Sequence, residues 1–235
     1  MNRIHSLVAT MFNSKKKDKK TGANIFSYLH FCTEHTGKMS GMYSLSTSPK
    51  CNPHCEERAK IKGSICEKCY SQKMHKNYKD LAKWTKSNSE ILTAGIIDKE
   101  KLPYINAHSF RLEAFGDLIN TNQVVNYFNL CRKNPAVHFA IWTKNPFIMA
   151  NAINTGYKKP SNLIVLYSSP MINVKVSLED VQRAFPFIDK VFTVYDNEEV
   201  AKQHGAVINC GTKNCIECLT CYRKNNTTVI SELLK

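Results

Sequence analysis

The sequence predicts an α/β protein: a partial or small TIM-like (β/α) barrel with cysteine-rich segments at both ends. Three observations carry that expectation. Through the middle of the chain, short apolar segments alternate with segments of helical spacing, as the strands and crossover helices of a parallel sheet do. Eight of the 10 cysteines fall into two tight groups, one before this region and one after it. The 235 residues, 43% hydrophobic, can bury one sizeable core without covalent staples. The expected organisation is an irregular basic segment over 1–50 and a single domain over 51–235.

Residues 1–50 are polar and weakly periodic. They contain the basic run Lys15, Lys16, Lys17, Lys19 and Lys20, the aromatic patch Phe26 to Phe31, and a Ser, Gly, Thr and Pro stretch from Ser40 to Pro49. From Met74 to Ile97, the residues Tyr78, Leu81, Trp84, Ile91 and Leu92 recur at roughly helical spacing before Gly95, which predicts one long helix or two short ones. Ser109 to Phe115 alternates apolar Phe110, Leu112 and Ala114 against Arg111 and Glu113, and so predicts a strand that closes on a turn at Gly116 and Asp117. Asn120 or Thr121 then caps a helix carrying Val124, Val125, Phe128 and Leu130, which Asn134 and Pro135 end. The alternation continues with strands at Val137 to Thr143, Leu163 to Ser168 and Val191 to Tyr195, separated by helices at Phe147 to Asn154 and Leu178 to Phe185. Such a parallel sheet needs cover on both faces.

In a sheet of this kind ligands gather at the carboxyl ends of the strands, where loops converge. Glu113, Asp117 and Lys144 fall at such ends and are the candidate cofactor-binding residues. The candidate metal ligands are the front cysteines Cys51, Cys55, Cys66 and Cys69, spaced C-x3-C-x10-C-x2-C, and the rear cysteines Cys210, Cys215, Cys218 and Cys221, spaced C-x4-C-x2-C-x2-C. Four soft thiolates on a short loop suit the corners of a [4Fe-4S] cluster, so one or two clusters are expected. The front group could equally close a tetrahedral zinc site. His54, between two front cysteines, could ligate or donate a hydrogen bond to sulfur, and Cys131 reads as core.

A disulfide framework is disfavoured because no signal peptide is apparent and the length removes the need for one. No apolar run approaches a membrane span, so the expected setting is reducing cytoplasm with no membrane partner. The net charge is +14, from 33 Lys and Arg against 19 Asp and Glu. That balance suits nucleic acid as a partner, although a solvated lysine surface carries the same charge.

The series Cys51-Asn52-Pro53, Cys66-Glu67-Lys68-Cys69-Tyr70, Asn88, Arg111 to Asp117, Trp142-Thr143-Lys144 and Cys215-x2-Cys218-x2-Cys221-Tyr222 resembles the bacteriophage family called gene product eighty-eight. The resemblance implies a phage protein of the host cytoplasm with a barrel-like strand and helix core and an iron-sulfur site, without a settled reaction. The chain departs from the pattern in the ten residues between Cys55 and Cys66, and at Glu113, where the family's strand commonly carries histidine. A looser similarity, through Thr143 to Pro146, extends to radical S-adenosylmethionine enzymes, whose C-x3-C-x2-C loop is absent. Three functions follow as expectations: a structural or electron-transferring iron-sulfur protein with a redox partner, an enzyme with an open cluster, and a zinc-stabilised nucleic-acid-binding protein.

Overall fold

In a computed structural model the described residues are 6–17 and 24–234, with side chains described from Leu29 onward. Their sheet has eight strands that neighbour one another in chain order: β1 (Ser6–Lys17), β2 (Asn24–Cys32), β3 (Tyr43–Leu45), β4 (Ser109–Leu112), β5 (His138–Thr143), β6 (Leu163–Ser168), β7 (Lys190–Tyr195) and β8 (Val229–Leu233). β1 and β2 form an antiparallel hairpin, and β2 lies antiparallel to β3. From β3 to β8 every pairing is parallel. β1 and β8 are the two edges, so the architecture is α/β with an open sheet, and the expected barrel is not closed.

The helices are α1 (Pro53–Arg58), α2 (Tyr70–Asn77), α3 (Lys79–Ala94), α4 (Thr121–Lys133), α5 (Pro146–Asn154), α6 (Leu178–Ala184), α7 (Glu198–Gln203) and α8 (Cys215–Cys218). Their starts follow from local chemistry. The Asn120 side chain accepts from Gln123 N at 3.0 Å to cap α4, and Asn52 accepts from His54 N at 3.1 Å to cap α1. Pro53 and Pro146 sit in the first turns of α1 and α5, where no amide partner is lost. The long helix expected across 74–97 is two, α2 and α3, because Tyr78 turns extended (φ −123°, ψ 95°) between them.

Parallel strands added one at a time in the same direction keep their crossovers on one face. That face is packed by Phe110, Leu112, Phe139, Ile141 and Val165 against Val124, Phe128 and Leu130 of α4, all within one buried cluster. Each fully buried apolar side chain of this size contributes about 1.5 to 3 kcal/mol. The opposite face, Ala140, Trp142, Ile164, Leu166 and Ile230, is covered by Leu219 and Tyr222 of the rear cysteine segment. Both faces are therefore buried, as expected, but the second is covered by a cysteine-rich loop in place of crossover helices.

The expectation that residues 1–50 are mostly irregular is corrected by β1, β2 and β3. Strand alternation explains the ordering of β2's end: Leu29 and Phe31 enter the main core, and Cys32 packs with Leu81 and Phe115 in another cluster. Asn88 of α3 locks this hairpin down, accepting from His30 N at 2.8 Å and donating to the carbonyls of His30 and Ser46 at 2.9 Å each. Of the basic run, Lys15, Lys16 and Lys17 end β1, while Lys19 and Lys20 lie outside the described residues. No helix among the described residues is long and apolar enough to cross a membrane.

Candidate functional site

β4 ends abruptly because Glu113 takes a left-handed conformation at φ 55°, a region that disfavours non-glycine residues. What holds it there is a buried polar knot. The Glu113 carboxylate accepts from Thr47 N at 3.1 Å, from Thr47 Oγ1 at 3.0 Å, from Gln123 Nε2 at 2.6 Å and from the Tyr127 hydroxyl. Burial pushes its pKa up to about 7, and the hydrogen bonds from Tyr127 and Thr47 oppose that rise without cancelling it. This candidate cofactor residue is saturated by protein donors and is absent from the cavity wall described below.

The chain then turns through Gly116 to Asp117, whose carboxylate joins two strand ends. Asp117 Oδ1 accepts from Thr143 Oγ1 at 2.6 Å and from Leu118 N at 2.7 Å, and Oδ2 accepts from Lys144 N at 2.9 Å. Asn52 adds the front cysteine segment to this joint, donating to the Asp117 and Leu118 carbonyls at 3.1 and 3.0 Å. Asp117→Asn keeps one acceptor and leaves the half-buried Lys144 N facing another donor, so we expect a loss of about 1 to 2 kcal/mol in urea unfolding; an unchanged midpoint would refute this role.

Above the joint opens a cavity of about 70 Å³ lined by Cys55, Cys66, Cys69, His54, Arg58, Asp117 and Lys144, together with Pro49, Ser71, Phe115 and Gly116. It sits at the carboxyl ends of β4 and β5. The loop between α1 and α2 is clipped to the exit of β6, with Ile65 N donating to Pro170 O at 2.9 Å and Ser64 bridging to Met171. Asp117 and Lys144 thus meet three of the four front cysteines, while Cys51 is outside the cavity wall.

Burial pushes the Cys55 and Cys66 thiols up; the Asp117 carboxylate adds to the rise at Cys55, and the Lys144 ammonium opposes it at both. Burial also holds the His54 imidazole below its usual value, and its Nε2 is shielded from water with no hydrogen-bond partner among the described residues. A buried nitrogen of this kind normally has a partner.

The rear group lies elsewhere, across the second sheet face. Cys221, whose thiol is pushed up to about 12 by burial and next by Cys210, also feels Cys215 and Cys218, so the four rear thiols act on a common neighbourhood. Leu219, left-handed at φ 51°, makes the turn between Cys218 and Cys221. Two cations face the group: Lys38 Nζ approaches Cys210 Sγ at 3.7 Å while also pairing with Glu232, and Arg111 stacks over Trp142 at 3.4 Å and opposes the rise at Cys215 and Cys221.

Among the described residues no group of three or more His, Cys, Asp or Glu is close enough to hold a metal ion as it stands. The front thiols share a wall, not a coordination sphere. Sequence reasoning missed Thr47, Gln123 and Tyr127, which hold Glu113, and Arg58, which lines the cavity; no motif connects them to the cysteines. A family model described as Gene product 88 matches residues 9–231. No curated protein and no solved structure matches the chain.

Proposed function

The chain belongs to the Gene product 88 family, and we propose that this phage protein binds iron-sulfur clusters in a structural or electron-transferring role. Cys55, Cys66 and Cys69, with Cys51 as fourth ligand once its side chain turns in, would hold the front cluster, and Cys210, Cys215, Cys218 and Cys221 the rear one. The observation that carries the reading is the meeting of three thiols, from the segments on either side of a ten-residue loop, on one cavity wall. A thiol swings between staggered positions about its Cα–Cβ bond, so thiols on a shared wall can converge by rotamer change. Lys144 at the front and Lys38 and Arg111 at the rear supply positive charge where thiolates would gather. A [4Fe-4S] cluster in such a setting supplies one-electron transfer to a redox partner.

The uninterrupted chain-order run of parallel strands from β3 to β8 supports reading the sheet as an opened (β/α) barrel, with the front cavity at its ligand-bearing end. We expect anaerobically isolated protein to carry about four irons and as many acid-labile sulfides per site. Cys69→Ala would lose only the front complement and Cys218→Ala only the rear. Zinc without sulfide would reject the reading, and zinc confined to the front would make that site structural.

Cys51 standing off the wall favours a second reading, an enzyme with an open cluster. Three thiols leave one iron without a cysteine, the arrangement radical S-adenosylmethionine chemistry requires. Added S-adenosylmethionine would then alter the electron paramagnetic resonance signal of the reduced protein; an unaltered signal at saturation excludes it.

A further inference from the structure

The front cavity carries a second cation, Arg58, beside the Lys144 that serves the thiols. Arg58 reaches it from the end of α1 and Lys144 from the end of β5, and both side chains line its wall. Among the described residues neither side chain enters an ion pair. The acid that shares the cavity, Asp117, turns its oxygens to Thr143, Leu118 N and Lys144 N and makes no ion pair with either cationic head. His54 Nε2 adds a third nitrogen without a partner in the same wall. Tyr167, at the end of β6, feels the field of both Arg58 and Lys144, so the two cations act on one small region.

Two unpaired cations converging on a concave, partly desolvated wall make an oxyanion seat, because each charge is screened less there than at an open surface. We infer that the front cavity binds a small molecule through a carboxylate or phosphate group, held by Arg58 and Lys144. Arg58 presents a planar fork that fits either group in two-point contact, and Lys144 adds a point charge. Strand carboxyl ends are where such ligands sit in sheets of this topology. The inference goes beyond the cluster reading, since it stands on the cations and not on what the thiols hold.

The test uses the full chain isolated without oxygen, titrated with inorganic phosphate followed by 31P line width and, in a second arm, with 13C-labelled acetate. Binding is expected in at least one arm, and the tighter arm identifies the group. Arg58→Gln and Lys144→Met should each weaken it by about tenfold or more, whereas Arg58→Lys retains most of it and Lys202→Gln, on exposed α7, leaves it unchanged. Absence of binding in both arms, or equal binding in all the variants, overturns the inference. Iron and sulfide are measured on the same samples. Metal-free protein that still binds the anion would sink the cluster reading alone; a cluster-loaded parent whose Cys69→Ala variant, with the front cavity emptied, binds neither anion would sink the oxyanion seat alone.

Discussion

Replacing Gly116 with alanine is expected to lower the thermal midpoint by about 6 to 12 °C, the shift that about 3 kcal/mol produces in a domain of this size. A Cβ at this position would stand 2.5 Å from Glu113 Oε2, 2.5 Å from Thr47 O and 2.7 Å from Thr47 Oγ1. None of these atoms can retreat cheaply. Thr47 O is backbone, and the Glu113 carboxylate is fixed by the donors that satisfy it. The methyl group must therefore part β4's exit from the segment entering the front cysteines, which should also distort the cavity that Gly116 lines. Differential scanning calorimetry of Gly116→Ala gives the result directly; a midpoint within about 2 °C of the parent would mean that the close approach is relieved at little cost.

The second large effect is one of pH. Glu113 has a pKa near 7 in the folded chain against an ordinary 4.5, with burial as the dominant cause. The folded protein therefore holds this proton more tightly than the unfolded chain does. The stabilisation is complete below about pH 4.5 and is lost as pH rises through about 7, amounting to roughly 3 kcal/mol across that window. Urea midpoints of the parent and of Glu113→Gln at pH 5 and pH 8 separate this group from the others: the parent should lose stability relative to the variant between the two conditions. Parallel behaviour of the two proteins would show that the carboxyl group does not change protonation in that range.

The legible parts of the fold were those in which one pattern spoke alone. β6 was readable because Leu163 to Leu166 is an unbroken apolar run, and α4 because Asn120 caps it and Asn134 closes it. β8 was not, because Ser231 and Glu232 put polar side chains at buried positions, where they are served by Thr193 and Lys38. β2 hid in a segment whose apolar and aromatic residues are interleaved with His30, which stacks on Trp84, and Cys32, which packs with Leu81 and Phe115. At the site, spacing drew attention to the cysteines, yet it could not show that Cys51 stands off the wall while Arg58 joins it. That sorting depends on the turn of α1 and on the clip between residues 63–65 and 170–172. Glu113 looked like a ligand from its position at a strand end. Its partners Thr47, Gln123 and Tyr127 come from two other segments, and only the folded chain brings them within reach.

The clip between Ser64 and Met171 also sets a timetable. A nascent chain leaves the ribosome amino end first, and Cys55, Cys66 and Cys69 emerge about a hundred residues before the strand exit that fastens their loop. Until Pro170 has cleared the exit tunnel, the loop that carries Cys66 lacks the contact that fastens it, although the floor at Asp117 and Lys144 has already emerged. Whatever the cavity receives meets a fastened wall only late in synthesis or after release, and during translation the early sulfurs stand open to oxidants and stray ions.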